Sequence, residues 1–372
     1  MKKPVVLAAL ALLSAACGSS PAEKPGFDPE WAQGVPVRTL TVTDSIGVEL
    51  GDSDYVFGQV AGAMWTPDGN IAVIDMKRCA ILFYTPDGEH ISTLGRRGSG
   101  PGEFQIPTSM AWLGDGRLLV TDAMSRTISI FDDSLRFAGS LEGFFPTPPV
   151  AITSVDSASF VGLKPEFEQN EQGMFTGFTL ARWSMDSIPA TVTYFADLVP
   201  FDPGNLAASF AGNIFSFAAA PDGTVYRAPM TSEGYTIECY QPDGTLRMTI
   251  ERDYQPVPKT PEEIEEERAF VQERMEASGA PAGMFTWEPE PMKSSIGGLM
   301  VDPEGDLWVR RGWTDEVVFD VFDSTGTLLY TARLDRTGDA EMWQVSCGTG
   351  GFLAFDANPE SWSRVFILSL SD

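Results

Sequence analysis

Two segments of this chain align without a gap when the sequence is slid by 47 positions. AMWTPDGNIAVID begins at Ala63 and MAWLGDGRLLVTD begins at Met110. Trp65 falls on Trp112, Asp68 and Gly69 on Asp115 and Gly116, Val73 on Val120, and Asp75 on Asp122. Further on, Tyr84 meets Phe131 and Leu94 meets Leu141. A period of this length confines the chain to radial or stacked repeats, because one such unit cannot bury its apolar face alone. Each unit holds short alternating runs split by Asp-Gly turns, with no helical period. It reads as four strands, the unit of a propeller.

Further units follow. AAAPDGTVYRA from Ala218 and LMVDPEGDLWVRR from Leu299 align at an offset of 82, with Gly223 on Gly305, Tyr226 on Trp308, Tyr240 on Phe322 and Gly244 on Gly326. Residues 151–198 hold a degenerate unit (SFVGL, FTLARW, ATVTYF). The chain ends on WQVSCGTGGFLAF and RVFILSL, a unit of only three strands. The missing strand is supplied by VRTLTVT, from Val37, which closes the ring and removes an open sheet edge. The expected fold is all-β: a six-bladed β-propeller of four-stranded blades, closed by an N-terminal strand, with a helical insert between blades 4 and 5. Its domains are a signal segment (1–16), a flexible tether (17–36) and the propeller (37–372, insert 253–293).

The run LGRRGSGPGEFQIP, residues 94–107, with PDG turns on either side, resembles the NHL-type six-bladed propellers and especially the bacterial six-bladed propeller lipoproteins. The resemblance covers roughly residues 37–372, strongest in blades 1 and 2 and weakest in blade 3. Within that run GRRGSGPGEF is the densest glycine cluster of the chain. A phosphate loop needs a helix N-terminus behind it, and a dinucleotide fingerprint needs G-x-G-x-x-G. Pro101 and Pro107 disfavour a helix and the spacing differs, so these glycines read as architecture. They let the chain cross from an outer strand back to the axis.

MKKPVVLAALALLSAAC at the N-terminus reads as an address. Lys2 and Lys3 precede an apolar stretch from Val5 to Leu13 that is too short to span a bilayer. The segment resembles a bacterial lipoprotein signal, which implies lipidation of Cys17. Ser14 stands where such signals usually carry Leu, and a plain secretory signal with Cys17 as a passenger is the alternative. GSSPAEKPGFDPEWAQG then reads as the tether. Gly18 follows the cysteine in place of the usual inner-membrane retention Asp, so in a two-membrane host the resemblance implies the outer membrane.

Acidic residues outnumber basic ones 52 to 25, for a net charge of -27. Such a chain repels phosphate backbones and excludes nucleic acid as an expected partner. In a blade, strands a to d run outward from the axis. The a–b and c–d turns share one end, here the turn face; the b–c turns and d–a crossings share the other, the crossing face. The turn-face connections are tight throughout. The crossing face is expected to carry a long b–c loop in blade 3 (164–177), a loop joining blades 3 and 4 (196–211), and the insert 253–293. In the insert, Thr260, Pro261 and Glu263 form a capping box and helix start. Ile264, Val271 and Met275 share one stripe, Gly279 ends the helix, and Phe285 and Trp287 follow. This reads as a helical flap over a site, with a decorative insertion as the alternative.

The same face is expected to gather basic residues against the overall charge: Lys77, Arg78, Arg96, Arg97, Arg126, Arg310 and Arg311. Trp287, Trp313 and Trp362, with Asn358 and Glu360, complete a mouth for an anionic or ring-bearing ligand. The bland alternative pairs each arginine with a nearby acid. The one histidine, His90, reads as an exposed outer-strand residue, so neither a multi-histidine zinc site nor a Ser-His-Asp triad is expected. The inner strands carry no acid, which argues against a lactonase-like calcium site unless loop acids dip inward. No disulfide is expected among Cys79, Cys239 and Cys347. The chain is read as a monomeric, lipid-anchored envelope module without catalytic residues or cofactor, calcium remaining open. It binds a saccharide, peptide or protein. The alternatives are a propeller hydrolase or lyase and a scaffold subunit.

Overall fold

The computed structural model describes residues 28–202, 214–277, 287–336, 340, 342–357 and 362–372. The signal segment, Cys17, Gly279, Phe285, Asn358 and Glu360 lie outside the described residues.

After a leading strand, β1 (Val37–Ile46), the chain folds into four-stranded antiparallel sheets in succession. The first holds β2 (Val60–Trp65), β3 (Ile71–Asp75), β4 (Ala80–Tyr84) and β5 (His90–Leu94). The second holds β6 (Pro107–Trp112), β7 (Leu118–Asp122), β8 (Thr127–Phe131) and β9 (Phe137–Leu141). The third holds β10 (Ala151–Ser154), β11 (Ser159–Asn170), β12 (Gly173–Ser184) and β13 (Ser187–Pro200). The fourth holds β14 (Phe215–Ala219), β15 (Val225–Pro229), β16 (Tyr235–Tyr240) and β17 (Leu246–Arg252). Helix α1 (Pro261–Ala277) precedes β18 (Ile296–Val301), β19 (Leu307–Arg311), β20 (Val318–Phe322) and β21 (Leu328–Leu334). The last three strands are β22 (Trp343–Gly348), β23 (Gly351–Asp356) and β24 (Val365–Ser371).

Strands β3, β4, β7 and β20 are buried along their whole length. They are covered on both faces, which is why they read as near-continuous apolar runs. The outer strand β5 instead exposes every second residue. Gly69 and Gly116 sit at φ +82° and +87°, where a side chain is disfavoured. Their amides close the turns onto the carbonyls of Thr66 and Leu113, at 3.0 and 2.9 Å. The core lies between sheets. Ile74 and Ile81 pack with Met110 and Val120, and Leu180 packs with Val225. Ile237 packs with Val309, and Trp308 with Phe352. The circuit closes where Leu353 and Val365 meet Ile71 and Val73. The result is an all-β, propeller-like ring of four-stranded units.

The structure departs from the sequence reading in three places. First, β1 joins β24 in antiparallel pairing, as expected, but its first residues also run parallel to β21, with Val37 beside Thr331 and Leu40 beside Leu334. The last two units are thereby fused into one eight-stranded sheet. An outer strand carries unpaired backbone groups along its free edge, and here the neighbouring outer strand satisfies part of that edge.

Second, residues 164–177 are not a loop. Strands β11 and β12 stay paired out to Asn170 and Gly173, and β13 follows β12 up to Pro200 beside Phe175. The third sheet thus projects a three-stranded ribbon from the crossing face. Its far end is exposed on both sides, so it lacks the one-sided apolar alternation that marks a core strand. Residues 203–211 of the expected 196–211 loop lie outside the described residues.

Third, residues 28–36, read as the end of a flexible tether, are docked. Ala32 is buried, the Trp31 ring lies tilted against Tyr235 with centroids 5.4 Å apart, and the Trp31 indole donates to the carbonyl of Asp253 at 2.8 Å.

Candidate functional site

The two ends of the ring differ in kind. The turn face carries short, tight connections. The crossing face carries the third-sheet ribbon, the insert with α1 and the docked residues 28–36. This end is the candidate site.

Its framework rests on a repeated aspartate. Asp75 and Asp122 end the second strands of the first two sheets and are fully buried. The Asp75 carboxylate accepts from the amides of Gly58, Gln59 and Arg78 at 2.7, 3.2 and 3.0 Å. Asp122 accepts from Gln105, Ile106 and Met124 at 2.6, 3.1 and 2.9 Å. Each carboxylate therefore ties the incoming crossing to the next turn and satisfies several buried donors at once. The glycine-rich crossing ends on one of these anchors. Within it Glu103 folds back onto the amide of Gly100 at 2.9 Å, and Phe104 is buried against Gly95, which sits at φ +79°. A Cβ at Gly95 would overlap the Phe104 ring. The run is architecture, as its sequence implies.

In the fifth unit the anchor position inverts its charge. Val60 faces Asp75 and Pro107 faces Asp122, and in the same register Ile296 faces Arg311. Arg311 is 2% exposed. Its Nη2 lies 2.7 Å from Asp320 Oδ1 and its Nη1 2.8 Å from Asp28 Oδ1. Tyr235 donates its hydroxyl to Asp320 Oδ2 at 3.1 Å. Burial pushes the Asp320 carboxyl and the Tyr235 hydroxyl up, Arg311 opposing it in both cases. Asp28 also reaches Arg333 at 2.6 Å. Its burial raises the carboxyl pKa, but the two arginines outweigh that and hold it below the ordinary value of 3.8.

The expected mouth residues are therefore dispersed in role. Arg311 is a buried structural cation, and Trp313 is a core residue packed on Tyr235 and Tyr254. Neither presents itself to a ligand, because the inverted charge and the packed rings need each other inside. Arg96 is exposed but paired with Glu103 at 2.8 Å. Arg97 donates to the Lys77 carbonyl, Arg78 to the Ser53 carbonyl, and Arg310 to the Trp343 carbonyl. Arg126 lies over the exposed Phe145 ring at 5.9 Å. Trp362 is 39% exposed beneath Arg364, and Trp287 is half-buried. Among the described residues of this face, Lys77, Arg97, Arg126, Phe145, Trp362 and the ribbon tip remain open to solvent. Asp28 and Trp31 were not legible as structural residues. Only the tryptophan in a Gly/Ser/Pro-rich stretch hinted at docking.

Helix α1 is fixed at both ends of its first turn. The Thr260 amide donates to Glu263 Oε2 at 2.6 Å, and the Glu263 amide donates to Thr260 Oγ1 at 3.2 Å. This is the expected capping box. Glu263 is buried, and its Oε1 meets Lys293 Nζ at 2.7 Å. Lys293 also binds Asp315 at 2.7 Å, linking α1 to the turn after β19. Burial raises the Glu267 carboxyl pKa, Lys259 opposing it. His90, expected on the open surface, is half-buried, because Asp54 and Tyr55 of the connection before β2 pack against it. Its Nδ1 is 3.3 Å from Asp54. Among the described residues no group of three or more His, Cys, Asp or Glu side chains is placed to hold a metal ion. Cys79, Cys239 and Cys347 are unpaired.

No protein-family model and no curated protein matches this chain. Solved structures do. The chain is similar to the PQQ-bound aldose sugar dehydrogenase of Streptomyces coelicolor, at 12% identity and a TM-score of 0.50, over 90% of this chain and 98% of that one. It is similar to a gluconolactonase from Xanthomonas campestris at 15% identity and a TM-score of 0.46, over 84% and 87%. It is similar to the WD40 β-propeller domain of Doa1 at 12% identity and a TM-score of 0.44, over 88% and 96%. At these identities the likeness is one of fold.

Proposed function

We propose that this chain is a lipid-anchored propeller of the bacterial envelope that takes its ligand at the crossing face. The eight-stranded sheet counts as two blades sharing β1 between them, which makes six. Six hydrophobic clusters, one at each blade interface, support that count. The observation that carries the choice of face is its asymmetry: the third-sheet ribbon, the insert with α1 and the docked residues 28–36 lie there, and loops on a rigid scaffold are where binding residues collect.

Two readings of that face compete. Fold likeness to a sugar dehydrogenase favours, at the level of the fold, a propeller enzyme over a non-catalytic module; fold alone does not carry function. The side chains favour the module. Asp75, Asp122, Glu263 and Asp320, the buried acids of this face, are each committed to amides or to a cation. A general acid or base must be free to exchange a proton with substrate. The module reading therefore assigns the ligand, a saccharide, peptide or protein, to the exposed rings and arginines.

Native mass spectrometry of the purified chain before and after chelation, paired with a lactone-hydrolysis assay, separates the two. The module reading predicts a metal-free mass and no turnover. One calcium per chain, removed by chelator together with hydrolysis, would establish the enzyme.

A further inference from the structure

We propose that the crossing face is the face turned toward the membrane and that its exposed rings rest on the lipid surface. The inference rests on the reading of Cys17 as the lipid-bearing residue. The structure fixes where the anchored chain leaves the propeller. Asp28 is held by Arg311, which ends β19, and by Arg333, near the end of β21. Trp31 is held by Tyr235, which opens β16, and by the carbonyl of Asp253, just past β17. All four of those partners stand at the crossing end of their strands. The exit point is thus on that face, between the fourth and fifth units.

From Cys17 to Asp28 there are eleven steps of chain. Fully extended they span at most about 40 Å, and as a flexible coil they average roughly 18 Å. A strand of five or six residues is itself roughly 17–20 Å long. Presenting the turn face to the bilayer would therefore hold the tether at about its average length merely to pass the height of the ring. Presenting the crossing face leaves it slack.

The loops share this polarity, although on the outer strands Ile91, Phe137, Leu246 and Leu329 stand exposed near the turn end. Among the described residues, no exposed large apolar side chain lies in an a–b or c–d turn. Apart from those on strands and from Val48 and Leu50, in the connection between β1 and β2, the exposed ones among the described residues are Met124, Phe145 and Trp362, all in crossing-face loops. Met174 adds the tip of the ribbon. Two of these rings carry arginines: Arg126 over Phe145 at 5.9 Å and Arg364 over Trp362 at 4.1 Å. Neither arginine forms an ion pair among the described residues. An aromatic ring beside an unpaired cation suits the headgroup layer, where the ring meets the acyl boundary and the cation meets phosphate. A ligand of the same face is then drawn from the membrane surface or from the narrow layer beside it.

The test uses the full lipidated chain in vesicles of phosphatidylethanolamine and phosphatidylglycerol, with a fluorophore on Phe145→Cys or, on the turn face, on Asp68→Cys. Spin-labelled lipid should quench the probe at position 145 at least threefold more than the probe at 68, and iodide should do the reverse. The intact mass is read on the same sample. A mass without lipid on Cys17 overturns the anchor and this proposal together. A lipidated chain whose two probes are quenched alike, or whose probe at 68 is quenched more, overturns the orientation alone.

Discussion

At the scale of single residues, one position in the repeat does two different jobs. As Asp75 it gathers three amides, and as Arg311 it gathers two carboxylates. Replacing Asp75 with Ala leaves those amides buried without an acceptor. The expected cost is about 3 kcal/mol, since a buried donor stripped of its partner costs ~1–3 kcal/mol and water can reach some of them. Urea denaturation should show it as a lower midpoint at unchanged slope. Arg311 recruits Asp28, and that contact depends on pH. The carboxyl pKa of Asp28 is lowered in the folded chain. Its contribution is therefore complete above the unfolded value of 3.8 and is lost as pH falls through the lower folded value. Amide exchange around Trp31 should rise below pH 3.8, ahead of the blades, while exchange at β3 stays protected. The sequence showed the repeat at Asp75 and Asp122. It did not show that Arg311 occupies their register, because the fifth unit aligns with the fourth, where Pro229 faces Phe215 at that place.

At the scale of elements, legibility followed burial. The blade strands and their Asp-Gly turns were readable because one packing demand repeats at a fixed spacing. The capping box of α1 was readable because it is local chemistry, and Thr260→Ala should cost about 1 kcal/mol without altering the ring. The ribbon of the third sheet was not readable. Pro165, Gly173 and Gly177 interrupt it, and its tip is exposed, so no packing imposes a pattern there. Gly177 is nevertheless needed, because a Cβ there would strike the Asp197 carbonyl of the neighbouring strand. Gly177→Ala should split β13 from β12 above Leu180 and raise amide exchange in residues 196–200, leaving the thermal midpoint of the blades nearly unchanged. The docking of residues 28–36 was hidden for another reason. Its partners are spread from Tyr235 to Arg333, and only the folded ring brings them together.

At the scale of the whole molecule, the ring is plain on one end and elaborated on the other. From connection lengths the sequence pointed to this end, but it read the ribbon of the third sheet as a loop. It overestimated the basic mouth, because a list of arginines cannot show that Arg311 is buried and Arg96 is paired. Among the described residues, what is open there is a set of exposed rings with two arginines that form no ion pair, beside a ribbon and a capped helix. We infer that contacts with other molecules are made through this end. Site-specific photo-crosslinking in intact cells tests it directly, with the photoreactive residue placed at Arg126, Trp287 or Trp362 on the crossing face and at Asp68, Asp115 or Asp243 on the turn face. The account predicts adducts from the first three positions and none from the second three. Adducts confined to the turn face, or spread evenly over both, would contradict it.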